Sequence, residues 1–161
     1  MEDLTVRIHL PHRERLGEVL EILEKEVISL NMATFQAEHR RNDKRHVGCA
    51  VGHYARLTRP AHLELVPLNF LEQLKAPIAA QAVWKDYPNS EWRHYTLRYS
   101  GPEIEAWGMT AACLYFQLRP YDVQRLFWPN GTNYVLEPAP QLVAERLRRF
   151  LDTERALTEA Y

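Results

Sequence analysis

The stretch AAQAVWKDYPNSEWRHYTLRYSGP, residues 79–102, decides the fold class. Two runs rich in β-branched and aromatic residues flank Pro88-Asn89-Ser90, which are turn-forming residues, so the stretch predicts a β-hairpin near residues 80–99. From Gly101-Pro102 onward the pattern changes from alternation to helical periodicity. A hairpin followed by helices predicts an α+β fold.

The segments before the hairpin include two strand patterns and the pattern of an amphipathic helix between them. LTVRIHL, residues 4–10, alternates apolar and polar residues and predicts a half-buried strand. HLELVPL, residues 62–68, predicts another short strand. Between them, apolar residues recur at spacings of four and three and predict an amphipathic helix docked on the sheet: Leu16, Leu20, Leu23, Val27 and Leu30.

The segments after the hairpin are helical. EIEAWGMTAACLYFQL, residues 103–118, and PYDVQRLF, residues 120–127, predict a helix pair, with Pro120 near the first position of the second helix. Residues 141 to about 156 predict a last helix, with inward-facing Leu142, Leu147, Phe150 and Leu151. No repeat or linker is visible. Residues 1–161 are therefore expected to form a single α+β domain, frayed in its last few residues, with a small antiparallel or mixed sheet packed against several helices.

Composition restricts the classes of function. Of 161 residues, 46% are hydrophobic and 25% charged, as in ordinary globular proteins, and the net charge of −1 gives no general attraction to nucleic acid or acidic membranes. The first residues lack the pattern of a signal peptide, and no window approaches the roughly 18 apolar residues of a membrane helix. Cys49 and Cys113 are expected to be reduced thiols. We expect a cytoplasmic protein without membrane association.

The stretch RHVGCAVGHYARL, residues 45–57, suggests a metal site. If it is helical, the spacings of three and four place His46, Cys49 and His53 on one face, and zinc accepts both imidazole and thiolate ligands. A fourth ligand would have to come from His39 or His94. These three residues form the candidate zinc site, and they would serve a metal-dependent hydrolase.

The same stretch also permits an interpretation without metal, which we favour. Gly48 and Gly52 lie four residues apart, and each costs about 1 kcal/mol relative to alanine inside a helix. That cost is usually offset where another backbone packs close to the glycine. We therefore expect a helix buried on two sides, with a small buried cysteine, and no cofactor.

Two further patterns indicate other functions. HYTLRY, residues 94–99, resembles one half of the paired His-x-Thr motifs of two-histidine phosphoesterases, but the nearest second copy, His62-Leu63-Glu64, has glutamate in place of the hydroxyl. The helix pair matches the spacing of a DNA-binding helix-turn-helix, with Gln117 where glycine usually makes the turn. Its other matching positions are Cys113, Leu118, Val123 and Leu126.

An aromatic cluster after the helix pair suggests an interaction surface. Phe127 and Trp128 are followed by Tyr134, and exposed aromatic residues often anchor protein interfaces. The same residues would equally close the core beneath the last helix.

Several segments together resemble a loose group of small uncharacterised bacterial and phage proteins. The resemblance rests on Asn31-Met32, on the C-x-x-G-H pattern of residues 49–53, on TAACLYFQL followed by LFWP, and on QLVAERLRRF. It departs at Gln117, where the group has a small glycine, and at the hairpin, which has no counterpart. The resemblance implies a bacterial or phage origin and assigns no catalytic residue.

The absence of a recognisable catalytic motif favours a non-enzymatic protein that binds or modulates another macromolecule, most simply a protein. A small metal-dependent or histidine-based hydrolase is the first alternative. A helix-turn-helix DNA-binding regulator is the second. The sequence does not predict the oligomeric state.

Overall fold

The computed structural model describes residues 11–31, 34–39, 41, 45–68, 92–127 and 138–159. These residues form five helices and a six-stranded mixed sheet, so the predicted α+β fold is confirmed. The helices are α1 (Arg13–Lys25), α2 (Ala50–Thr58), α3 (Gly108–Phe116), α4 (Pro120–Phe127) and α5 (Pro140–Glu159). The strands are β1 (Ser29–Leu30), β2 (Gln36–His39), β3 (His46–Gly48), β4 (Leu63–Pro67), β5 (Trp92–Ser100) and β6 (Glu105–Trp107).

The sheet has the order β1-β3-β2-β5-β4, and β6 pairs with β5 beside β2. The β1–β3 pair is parallel, and the others are antiparallel. β5 has the most partners of any described strand, because its nine residues are long enough to pair with β2, β4 and β6. It is the second arm of the predicted hairpin, whereas the turn at residues 88–90 and the first arm lie outside the described residues, as does the strand predicted at residues 4–10.

Helix α1 is shorter than the apolar stripe predicts. Its N-terminus is capped by His12, whose Nδ1 accepts a hydrogen bond from the backbone N–H of Arg15 at 3.4 Å. The helix ends at Lys25, Glu26 is already extended, and Leu30 lies in β1 instead. The prediction that Val27 faces the core is therefore wrong, since its side chain is fully exposed.

Helix α2 rests directly on the backbone at the start of β2. A Cβ atom added to Gly52 would lie 1.5 Å from the carbonyl oxygen of Phe35, and one added to Gly48 would lie 2.3 Å from the same oxygen. The expected close approach of another backbone is thus confirmed at both glycines, but Gly48 lies in β3 and not in the helix. Residues 50–55 are all buried, as expected for a helix packed on two sides.

A pair of buried tyrosines joins α2 to its helical neighbours. The hydroxyl groups of Tyr54 in α2 and Tyr115 in α3 lie 2.6 Å apart, and Tyr54 donates to a carboxylate oxygen of Glu18 at 3.1 Å. Because the proton of Tyr54 is used there, Tyr115 must donate to Tyr54. Arg15 in α1 covers the Tyr115 ring, with its guanidinium carbon 4.1 Å from the ring centre. One hydrogen-bonded cluster therefore connects three helices.

The C-terminal half forms the helices that the sequence predicts, with different boundaries. α3 begins at Gly108, because residues 105–107 pair with β5 as β6. Gln117 has a left-handed backbone (φ 56°) and makes the turn, and Pro120 is the first residue of α4, as predicted.

The last helix, α5, packs against α1. Arg13 donates to the carbonyl of Leu151 at 2.8 Å, and Arg148 contacts Glu24 at 2.5 Å. Leu147 and Phe150 face the core as predicted, but Leu142 is 40% exposed and Val143 is buried instead.

Candidate functional site

The stretch 45–57 forms a strand, a cap and a helix rather than one helix. His46 lies in β3, where it is opposite Glu38, Cys49 is the N-cap residue, and the helix begins at Ala50. The prediction that His46, Cys49 and His53 share one helical face is therefore wrong. In the part of the chain that the structure describes, no group of three His, Cys, Asp or Glu side chains is placed to hold a metal ion.

Cys49 packs in the core at the junction of β3 and α2. Its side chain is fully buried, and its Sγ lies 3.8 Å from the carbonyl oxygen of Phe35, to which the thiol donates. Burial raises the pKa of the Cys49 thiol to about 12. The thiol is therefore protonated at neutral pH, whereas a nucleophilic cysteine must be a thiolate.

His53 is fully buried, and both of its ring nitrogens are used within the protein. Nε2 donates to the carbonyl oxygen of Ser29 at 2.8 Å, and Nδ1 accepts from the guanidinium of Arg56 at 3.0 Å. A carbonyl can only accept and a guanidinium can only donate, so this geometry requires the neutral tautomer protonated at Nε2. Burial above all, helped by the positive charge of Arg56, lowers the pKa of His53 to about 4, although the Ser29 hydrogen bond opposes the shift. His53 thus positions Arg56 and has no lone pair left for a metal.

A cleft of about 380 Å³ opens beside His53 and Arg56, at the β1 side of the sheet. It is lined by the segment that follows α1 and leads into β1, by the start of β3 and by the last turns of α2. Two apolar side chains are exposed where the cleft meets solvent: Val27 fully, and Leu57 to 41%. The lining consists of residues 26–29 and 45–47 together with His53, Arg56 and Leu57.

Arg56 is the most distinctive side chain of the cleft. It is partly buried, and this desolvation lowers the pKa of its guanidinium, although the negative charge of Glu26 opposes the effect. One terminal nitrogen, Nη2, donates to His53. Among the described residues, its Nε is buried without a hydrogen-bond partner. The protein therefore fixes this cation in place without fully compensating it.

Sequence reasoning missed Arg56, although a signal for it was present. His53 and Arg56 lie three residues apart, a spacing that brings side chains together on a helix. A basic residue at that distance from a buried histidine indicates that the histidine is neutral and acts as an acceptor.

The other predicted histidine, His94, lies away from the cleft. His94 and Thr96 share one face of β5, as their alternation predicts, and the His94 ring is buried with its Nδ1 3.2 Å from the hydroxyl of Thr34. His62 lies beside Ser100, at the far end of β5, with its Nδ1 2.9 Å from the Ser100 carbonyl oxygen. Six residues of strand, or roughly 20 Å, separate the two histidines, so they cannot act on one phosphodiester.

The helix pair has the turn and the buried anchors of a helix-turn-helix. Leu118, Val123 and Leu126 are buried, and Tyr121 on α4 is 70% exposed. Arg125, also on the exposed face, forms an ion pair with Asp122 at 3.3 Å. Its positive charge is therefore partly compensated within α4.

The predicted aromatic interface is only partly described. Phe127 is fully buried, and its ring centre lies 5.7 Å from that of Phe116, so it is a core residue. Trp128 and Tyr134 lie outside the described residues.

Comparisons with known proteins do not add to this geometry. None of the described helices is long and apolar enough to cross a lipid bilayer. No protein-family profile, curated protein or solved structure matches the chain.

Proposed function

We propose that the protein is a non-enzymatic binding protein that acts by contact with another protein, through the surface around the cleft. The observation that carries this proposal is the pair of exposed aliphatic side chains, Val27 and Leu57, at the mouth of a polar cleft. Exposed apolar side chains beside a fixed cation suit the binding of another protein, because apolar contact supplies affinity and a charged group supplies orientation.

The roles of Cys49 and His53 support a binding function over a hydrolase. A hydrolase that used them would need a thiolate or an imidazole with a free lone pair. Cys49 is a buried, protonated thiol, and His53 uses both nitrogens to hold β1 and Arg56.

The setting that we propose is the cytoplasm of a bacterial cell, with the protein encoded by the bacterium or by a phage. The resemblance of the C-x-x-G-H segment and the later helices to small bacterial and phage proteins supports this setting. Cys49 and Cys113 are free thiols, which also fits a reducing compartment.

Site-specific photo-crosslinking in bacterial cells tests the proposal. A photo-reactive residue replaces Val27 in one variant and Tyr121 in the control, because both side chains are well exposed and Tyr121 lies outside the cleft. We expect one protein to crosslink at position 27 and not at position 121, and the purified partner to bind the unmodified chain. A Leu57→Asp substitution should weaken that binding at least tenfold without changing the melting temperature.

Three outcomes would overturn the proposal. The first is the same crosslinking pattern at both positions, and the second is a crosslinked product that consists only of two copies of this chain. The third is unchanged affinity of the Leu57→Asp variant for the crosslinked partner.

A further inference from the structure

The guanidinium of Arg56 is held in the cleft by a neutral group. His53 receives one of its N–H groups at 3.0 Å and is itself fixed by the carbonyl of Ser29 at 2.8 Å. A neutral imidazole orients the guanidinium but cancels none of its charge. Arginine has five N–H donors in a rigid, planar fork. One of them goes to His53 and the Nε–H is buried, so the three remaining N–H groups of the two terminal nitrogens are left for a ligand.

The charges around the cleft favour an anionic ligand. The lining contains two arginines, Arg45 and Arg56, one acidic residue, Glu26, and two histidines, His46 and His53, of which His53 is neutral. Both a carboxylate and a phosphate would gain from this excess of positive charge, so the apolar side chains beside the cleft decide between the two. A carboxylate matches the guanidinium fork and carries one charge.

The apolar rim indicates what surrounds that carboxylate. Val27 and Leu57 are exposed beside the cleft, where a free carboxylate ion would leave them uncovered. A cleft of about 380 Å³ is large enough for one acidic side chain and part of an adjacent residue. A protein segment that places an acidic residue next to aliphatic residues fits both features.

We infer that the cleft binds an acidic-apolar segment of a protein partner, with a glutamate or aspartate carboxylate of that segment on the Arg56 guanidinium and aliphatic neighbours on Val27 and Leu57. This inference rests on the proposed function and names the chemistry of the partner. His53 is the positioning residue, because it touches Arg56 and not the ligand.

Titration of the full chain with defined peptides tests the inference. The probe is a short peptide of alternating leucine and glutamate with blocked ends, and its matched control has glutamine in place of each glutamate. Inorganic phosphate and a DNA duplex are tested alongside. The readouts are affinity by calorimetry and the NMR resonance of the Arg56 Nε–H group.

We expect the glutamate peptide to shift the Arg56 resonance and to bind at least tenfold more tightly than the glutamine peptide, which corresponds to about 1.4 kcal/mol. Arg56→Gln should lose at least tenfold in affinity. Arg56→Lys, which keeps the charge but not the fork, should lose less. Arg119→Gln, at an exposed position outside the cleft, should bind like the unmodified chain.

The inference fails if Arg56→Gln binds the glutamate peptide normally, or if phosphate or DNA shifts the Arg56 resonance at lower concentration than the peptide. A partner crosslinked at position 27 that binds the Leu57→Asp variant weakly and the Arg56→Gln variant normally would also contradict the inference. The proposed function would then still stand. Loss of affinity with neither substitution would remove the proposed function as well.

Discussion

Replacing Gly52 by alanine tests the direct contact between α2 and the backbone before β2. The added Cβ would lie 1.5 Å from the carbonyl oxygen of Phe35 and 2.4 Å from its carbonyl carbon. Real Cβ atoms essentially never approach closer than 3.0 Å, so helix and strand would have to separate by about 1.5 Å. Both obstructing atoms belong to the main chain, so no side-chain rotation can relieve the clash.

The magnitude follows from two opposing effects. Overpacking a core costs about 1–3 kcal/mol, and a rigid main-chain obstacle places Gly52→Ala at the upper end, about 3 kcal/mol. Alanine gains about 1 kcal/mol over glycine inside a helix. The net loss in the free energy of unfolding is therefore about 2 kcal/mol. For a domain of this size it lowers the melting temperature by about 4–8 °C.

Urea unfolding followed by circular dichroism, together with thermal melting, measures this loss. Gly17→Ala is the matched control, because Gly17 lies inside α1 with nothing within 4 Å of an added Cβ. The control should gain about 0.5–1 kcal/mol. The reasoning is refuted if Gly52→Ala is as stable as the unmodified chain or gains stability like the control.

Three further predictions concern buried polar groups. Burial lowers the pKa of His53 to about 4, below its usual 6.5, so the unfolded chain binds the proton more readily than the folded chain. The contribution of neutral His53 to the free energy of unfolding should be complete above about pH 6.5. It should fall by about 3 kcal/mol as the pH decreases to 4. The His53→Asn variant should lack this dependence in urea unfolding, and an equal slope in both proteins would contradict the assignment. Tyr54→Phe leaves the buried Tyr115 hydroxyl without its acceptor and should lower the free energy of unfolding by about 1–3 kcal/mol. Tyr115→Phe removes a single hydrogen bond and should lower it by only about 1 kcal/mol. Equal losses in urea unfolding would contradict our assignment of Tyr115 as the donor to Tyr54. In native protein, a thiol reagent followed by mass spectrometry should modify the half-buried Cys113 well before the fully buried Cys49, and simultaneous labelling would show that the core opens at Cys49.

Local sequence patterns predicted the features that depend on residues close together in the chain. The spacing of Gly48 and Gly52 indicated a close backbone approach, and Pro120 marked the start of α4, because backbone clash and proline geometry act within a few residues. The start of α2 could not be predicted in this way. His46 and Val47 belong to a strand because they pair with Glu38 and Ala37, and that partner strand is only visible in three dimensions.

In the candidate site, too, some features depend on nearby residues and others on distant parts of the chain. The spacing of His46, Cys49 and His53 marked the stretch 45–57, but its chemistry depends on a carbonyl group, that of Ser29, which no sequence pattern reveals. Val27 continues the apolar spacing of α1 and lies outside the core, since the chain turns away at Glu26 so that β1 can pair with β3.

Because α5 packs on α1, the ribosome must synthesise the chain as far as α5 before this contact can form. The hydrogen bond from Arg13 to Leu151 spans 138 residues, and such distant contacts slow folding because a long loop must close first. At a translation rate of about 5–20 residues per second, α5 is synthesised roughly ten seconds after α1, and until then it cannot cover the apolar face of α1. During that time α1 of the growing chain is accessible to chaperones and can aggregate, whereas in the folded protein α5 packs against it.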